Sequence, residues 1–381
     1  MKIIYVANVR LPTERAHGLQ IVKMCEALGA AGANLELWLP RRRNHLVDDL
    51  FAYYQVKNNF RAVHLPSLDF NLWTRFGRVK FWLQSFSFGL AVWRRSFRTR
   101  QAVFYSRDLF LAFLLTFFHR RVCFEDHQPP RAFRALYRIF LRRIPKKIIV
   151  PSQLAERYRA MEVDPRTYRV IPNGVDLTEM EQAPRDRHLW QSLGLGEATV
   201  VLFVGHFYPW KGIYTLLDGA AKLPDAIRLV LIGALPENKA AVLKYVTEHE
   251  LTGVTILDYL PFRQTLTYIK SADILVLPNT AREERSAKYT TPLKLFAYLA
   301  AGVPMVASDL PSFAGYLEHG RNAVLCRPDD AEDLAAKIVW LAARPAEGAR
   351  LAAAAAAEAK QFDWRERAKA VMAFLAQNYG N

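Results

Sequence analysis

Short apolar runs alternate along the chain with stretches of helical period. IIYVA (3–7) precedes a helical stretch around Leu19 to Leu28, and NLELWL (34–39) follows with Leu35, Leu37 and Leu39 on one face. Short strands separated by enough chain for a crossover helix predict βαβ units. AVFYS (102–106), VCFE (122–125) and KIIV (147–150) continue the alternation, so the first half reads as one doubly wound domain. After the turn-like PNG (172–174) the pattern restarts with TVVLFVG (199–205), RLVLIG (228–233), VTIL (254–257), DILVLP (273–278) and PMVAS (304–308), predicting a second parallel sheet. The Ala-rich stretch near 342–359 has good helix composition. The expected fold class is α/β, with two doubly wound, Rossmann-like domains facing across a cleft, because open parallel sheets bind ligands beyond the carboxyl ends of their strands.

Composition agrees with two cores: 381 residues, 51% hydrophobic and 23% charged, are too apolar for general disorder. MKIIYVANVR has one Lys before a short apolar run and no small-residue cleavage site, so it reads as a first buried strand rather than a signal peptide, with the mature chain expected to begin there. Cys25, Cys123 and Cys326 have no paired spacing, which suits a reducing cytoplasm.

Charge changes the picture more. The chain carries +16, and residues 74–147 alone hold 17 Lys or Arg against Asp108, Glu125 and Asp126, a local +14. The same segment holds 17 aromatic residues, among them Trp82, Phe86, Phe88, Trp93, Phe97, Phe117 and Phe118, interleaved with Arg94, Arg95, Arg98, Arg100, Arg120 and Arg121. Cations beside Trp and Phe suit the headgroup layer of an anionic membrane, each nearby cation contributing roughly 1 kcal/mol. Its uncharged stretches, Phe81 to Trp93 and Leu109 to Phe118, fall short of the roughly 18 to 20 residues that span a bilayer. Alternatively the aromatics fill a core beneath a solvated arginine face; nucleic acid needs similar ingredients, but no recognition motif accompanies them.

FVGHFYPWKG (203–212) ends a strand at Gly205 and sets Lys211 and Gly212 at a helix start, where an ammonium and free backbone N–H groups both favour a pyrophosphate. RLPTERAHG (10–18) joins the first strand to a helix, and Gly18 would let backbone approach a phosphate. YTTPLKLFAYLAAGVPMVASD (289–309) offers a bare helix start after Thr290, Thr291 and Pro292. YSRD (105–108) puts Arg107 and Asp108 at a strand end, to reach an acceptor or to pair with each other. No Asp-x-Asp or His cluster of metal-ligand type appears, which predicts metal-independent chemistry without a cofactor.

GHFYPWKG, IPNGVD (171–176), PLKLFAYLAAGVPMVASD, DLPS, EHGRNAVLCRPDD and FDWRERA (362–368), in this order and spacing, resemble the family 4 retaining glycosyltransferases of GT-B fold over nearly the whole chain. The resemblance implies an acceptor-side domain at 1–168, a nucleotide-sugar domain at 169–360, and a last helix at 361–381 returning to the first domain. It implies that His206 and Lys211 meet the donor diphosphate, that Gly18 flanks it, and that the backbone of Thr290, Thr291, Pro292 and Leu293 binds its β-phosphate. CFEDHQPP (123–130) resembles the segment with a histidine near the transferred sugar, which makes His127 a catalytic candidate beside Lys211.

His206 stands where many relatives carry Arg. The family's two glutamates, the second of which binds the donor ribose, read here as Tyr289 and Ala297. Ala297 removes that acceptor, and at roughly 1.5–3 kcal/mol for a charge-assisted bond donor affinity falls about tenfold to over a hundredfold. The implied function is retaining, metal-independent transfer of a UDP- or GDP-linked sugar to a lipid-linked or membrane glycan in cell-surface polysaccharide synthesis. The expected place is cytoplasmic, peripheral to the inner face of the plasma membrane. A sugar-nucleotide epimerase and a non-catalytic membrane-associated partner protein are the alternatives, the latter on account of Ala297 and Gly315.

Overall fold

The computed structural model describes residues 1–70, 77–130 and 134–380, so positions 74–76 and 131–133 of the basic segment lie outside the described residues. The chain divides into two compact units, Met1–Pro172 with Trp364–Asn381, and Asn173–Asp363. These boundaries fall a few residues beyond the divisions at 168 and 360 that the sequence implies.

Unit 1 is built on a sheet of β1 (Lys2–Val6), β2 (Asn34–Pro40), β3 (Arg61–Leu65), β4 (Val103–Ser106), β5 (Val122–Asp126), β6 (Lys146–Ile149) and β7 (Tyr168–Val170). All pairings are parallel, in the order β3-β2-β1-β4-β5-β6-β7. Tyr5 on the central strand stands between Leu37 and Tyr105. Helices cover both faces of such a sheet, and Ile3, Ile4, Tyr5 and Val6 are accordingly all buried, an unbroken apolar run rather than an alternation.

Unit 2 repeats the plan with β8 (Thr199–Val204), β9 (Ile227–Ala234), β10 (Val254–Asp258), β11 (Ile274–Leu277), β12 (Met305–Ser308) and β13 (Val324–Cys326), in the parallel order β10-β9-β8-β11-β12-β13. One apolar cluster lies on each face: Val200, Leu202 and Leu275 with the helix Leu293–Ala300 on one side, Val201, Phe203 and Val276 with the helix Ile213–Ala220 on the other. Two doubly wound sheets are thus present, with β3, β7 and β13 added to the strands read from the sequence.

The last helix, Trp364–Tyr379, belongs to unit 1 and packs on the helix Ala16–Ala30. It buries Trp364, Ala368, Val371, Phe374 and Leu375, and with them the guanidinium of Arg367.

Candidate functional site

Each sheet reverses its strand order once, between β1 and β4 in unit 1 and between β8 and β11 in unit 2. Chains leaving neighbouring strands in opposite directions open a crevice at their carboxyl ends. Arg107 and Asp108 follow β4, His206 and Lys211 follow β8, and Thr290, Thr291 and Pro292 lie between β11 and the helix Leu293–Ala300, whereas His127 follows β5 and Gly18, Leu293 and Ala297 lie in helices.

In unit 2, β8 runs into Gly205 at φ +137°, then into the 3₁₀ turn Pro209–Lys211 and Gly212 at φ +73°. A Cβ on Gly212 would lie 1.6 Å from the Pro278 carbonyl oxygen, so only glycine lets this loop lie against the end of β11. The turn carries Lys211 back over the strand end, its Nζ 3.4 Å from where a Gly205 Cβ would stand. Tyr208 and Trp210 flank it, with ring centroids 5.3 and 5.4 Å from Nζ.

The helix Leu293–Ala300 starts beside this loop. Pro292 sits at its N-cap, no side chain caps it and no acid stands in its first turn, while the Leu295 N–H donates to the Pro292 carbonyl at 3.0 Å, so the positive dipole end is not met by a side chain of this helix. Asn173 Nδ2 donates to the Thr291 carbonyl at 3.1 Å, Thr290 Oγ1 donates to the Arg285 carbonyl at 2.8 Å, and the Val204 N–H donates to Tyr298 Oη at 2.9 Å, which together pin the helix start to the end of β8.

Lys294, in the first turn, was not picked from the sequence. Its buried Nζ has no hydrogen-bond partner among the described residues and lies 3.8 Å from the centroid of the Phe203 ring. Burial and then the charge of Lys211 push this ammonium well below lysine's ordinary value. Lys211 is itself pushed down to about 8, by burial and then by Arg285, whose guanidinium sits 4.9 Å from the centroid of Trp210. Among the described residues neither lysine has an ion pair. Two desolvated cations and an open helix start form a place for a compact, multiply charged anion.

His206 follows Gly205 directly and is buried between the rings of Tyr208 and Tyr259, at 5.7 and 6.3 Å. Ala297 is 1% exposed and lies in the apolar cluster with Phe296 and Tyr298, so it presents no polar atom from its side chain. It stands one turn beyond Lys294 on the same helical face, where an acid would be a partner for that ammonium. Glu284, upstream, is exposed and 4.0 Å from Lys288, within a charged loop.

In unit 1 the centre is Glu125, fully buried at the end of β5 and also unmarked by the sequence reading. It accepts from Gln20 Nε2 at 2.8 Å, from the Tyr105 hydroxyl and from Arg367 Nη2 at 2.9 Å, and its Oε1 lies 2.6 Å from His127 Nε2. Burial alone would raise its carboxyl, but Arg367, His127 and Arg107 outweigh it and hold Glu125 well below the usual carboxylate range. Burial and then Arg107 push His127 down to about 4 against the pull of Glu125, so the imidazole is neutral at pH 7.

Arg107 donates to Gln20 Oε1 and, at 3.4 Å, to the His17 carbonyl. It does not pair with Asp108, which instead caps the helix Leu109–Leu115 by accepting from the Leu111 N–H at 2.9 Å. Gly18 differs from its sequence-based rationale: the position of its missing Cβ is filled by Tyr54 Oη at 2.2 Å and Thr13 Cγ2 at 2.6 Å, and its N–H donates to the Arg15 carbonyl. Packing against Tyr54 requires the glycine here.

The basic aromatic segment divides between the two sequence readings, with some aromatics exposed among the arginines and others in the core. Along the helix Gly77–Ser96, Gln84, Ser85, Phe88 and Ser96 are buried, whereas Val79, Trp82, Leu83, Phe86 and Leu90, spaced as one helical face, are exposed. Phe97, Phe117 and Phe118 are exposed nearby in the chain, and Arg100 and Arg143 cover Phe97 and Phe117. Among the described residues no helix is long and apolar enough to cross a membrane, and no group of three His, Cys, Asp or Glu could hold a metal.

The family described as Glycosyltransferase Family 4 matches residues 18–179, and that described as Glycosyl transferases group 1 matches residues 198–344. Among curated proteins, a phosphatidyl-myo-inositol mannosyltransferase of Mycobacterium leprae is 30% identical over 59% of this chain and 57% of its own length. A D-inositol 3-phosphate glycosyltransferase of Geodermatophilus obscurus is 30% identical over 58% of this chain and 49% of its own. The chain thus spans about half the length of the curated relatives it matches. Among solved structures, Anabaena HepE in complex with UDP superposes with a TM-score of 0.78 at 19% identity, covering 99% of this chain and 100% of that one. Sucrose-phosphate synthase of Thermosynechococcus elongatus gives 0.80 at 18% identity, covering 99% of each chain. With both family patterns in order along two doubly wound sheets, the chain belongs to the group 1, family 4 glycosyltransferases of GT-B fold.

Proposed function

We propose that this chain transfers a sugar, with retention at the anomeric carbon, from a UDP- or GDP-linked donor to a lipid-linked or membrane-associated glycan. The observation that carries the reading is the pair Lys211 and Lys294, neither of which has an ion pair among the described residues, beside a helix start that no side chain caps. A diphosphate supplies the charge that both ammoniums lack, and as the glycosidic bond breaks they stabilise the negative charge building on it without a metal. The solved HepE structure in complex with UDP-glucose supports a nucleotide-sugar as the ligand. With Ala at 297 the ribose has no carboxylate acceptor at that position, so affinity rests on the diphosphate contacts.

For the acceptor, the support is the exposed face of Val79, Trp82, Leu83, Phe86 and Leu90 within the cationic segment, together with a relative named for acting on a phosphatidyl lipid. Apolar side chains entering the headgroup layer while arginines meet anionic lipid would hold the protein at the inner face of the plasma membrane, where polysaccharide precursors are assembled.

The test supplies labelled UDP- and GDP-sugars with and without liposomes carrying membrane glycolipid, in the presence of EDTA. Label moving into the lipid phase, with the donor's anomeric configuration kept, is the expected result. Free sugar released with no acceptor would favour the epimerase, and binding without turnover the non-catalytic partner.

A further inference from the structure

We propose that Glu125, clamped by Arg367 from the last helix, is a positioning residue that fixes His127 as its Nε2–H tautomer and leaves Nδ1 bare to accept a hydrogen bond from a carbohydrate hydroxyl. The hydroxyl as ligand rests on the transferase reading; the tautomer does not.

Glu125 and Arg367 are 242 positions apart in sequence yet form an ion pair of 2.9 Å at side-chain exposures of 0% and 2%. Arg367 Nε also donates to the Pro172 carbonyl at 2.7 Å, so its guanidinium is held from two sides. An ionised carboxylate only accepts, and all four groups on Glu125 must therefore donate. Arg367 and Gln20 Nε2 have no other choice, and the Tyr105 hydroxyl has no reason to release its proton in a buried site beside a carboxylate. The ring nitrogen of His127 that lies 2.6 Å from Glu125 Oε1 is Nε2, so Nε2 carries the hydrogen. A neutral ring with one hydrogen on Nε2 has its lone pair on Nδ1. Arg107, the other cation near the ring, is engaged with Gln20 and the His17 carbonyl.

The arrangement explains why a helix at the far end of the chain belongs to unit 1. Without Arg367 the buried Glu125 loses its ion-pair partner, which favours uptake of a proton and so loosens its control over which ring nitrogen donates.

Long-range 1H–15N correlation on the full chain with 15N-histidine reads the tautomer directly. For the wild type at pH 7 the expected pattern is one protonated Nε2 and one bare Nδ1 for His127; a protonated Nδ1 overturns the proposal whatever the variants do. The double variant Glu125→Gln with Arg367→Met removes both charges together and so strands neither in the core. It is expected to show the second tautomer and a turnover lowered at least about tenfold, with KM for the nucleotide-sugar within about twofold. Arg367→Lys, which keeps the charge, should restore the single tautomer. An unchanged tautomer and rate in the folded double variant would also overturn the proposal. If no UDP- or GDP-sugar is turned over by any form, the proposed function fails while the spectrum still decides the positioning role.

Discussion

Glu125 gathers four polar partners in the core of unit 1, whereas Lys211 and Lys294 in unit 2 have no ion pair among the described residues. Glu125 lies near the end of β5, next to the switch-point strand β4, and Lys211 follows β8 at the switch point of its own sheet, so placement toward the carboxyl ends of strands does not distinguish them. Charge closure does. A closed network has satisfied its electrostatics within the chain and offers a ligand fixed geometry, here a neutral imidazole. An open one carries a desolvation cost that only an anion from outside can offset. A polar, uncharged partner suits the first, and the diphosphate of the proposed function suits the second.

Breaking the closed side should have the largest effect. Arg367→Met leaves Glu125 uncompensated and should cost about 3–5 kcal/mol in urea unfolding, with most of it recovered when Glu125→Gln is added. Lys211→Ala on the open side should weaken nucleoside-diphosphate binding about tenfold to over a hundredfold by calorimetry, at roughly 1.5–3 kcal/mol for a charge-assisted bond, and leave unit 1 untouched. Lys294→Met separates the two sides most sharply. Removing an unpartnered buried ammonium should stabilise the ligand-free protein by about 1–3 kcal/mol in the same unfolding assay while weakening nucleotide binding.

The smallest effect is that of pH. Lys211 is held at about 8 in the free chain, and a bound diphosphate favours its charged form, so the complex holds more protons than its parts. Binding of a nucleotide-sugar, whose diphosphate does not titrate in this range, should therefore take up protons and weaken as pH rises through 8, by at most about tenfold per pH unit for that lysine. Calorimetry in buffers of different ionisation enthalpy measures the uptake. Affinity that rises above pH 8 would contradict an open cationic site.

The central strands were legible because burial on both faces writes them as unbroken apolar runs, as in TVVLFVG and DILVLP. β3, reading RAVHL at the sheet edge, and the three-residue β7 and β13 carry too little apolar sequence to stand out. Lys211 was legible because a glycine-flanked lysine after a strand has a local reason to be there. Lys294 looked like an ordinary helix lysine, and its burial over Phe203 follows from tertiary packing alone. Glu125 and Arg367 were unreadable for the same cause, since nothing local ties residues 242 positions apart. Trp82 and Phe86 stood out by composition, but only the three-dimensional arrangement shows that Gln84 and Ser85 are the buried side of that helix.

The most direct test of the account is isothermal calorimetry at pH 7 with UDP, GDP and their sugars, on the wild type and on Lys211→Ala. The wild type should bind one of the two nucleotides, and Lys211→Ala should lose at least about tenfold in affinity for it. Binding of neither nucleotide by the wild type, or equal binding by both proteins, would contradict it.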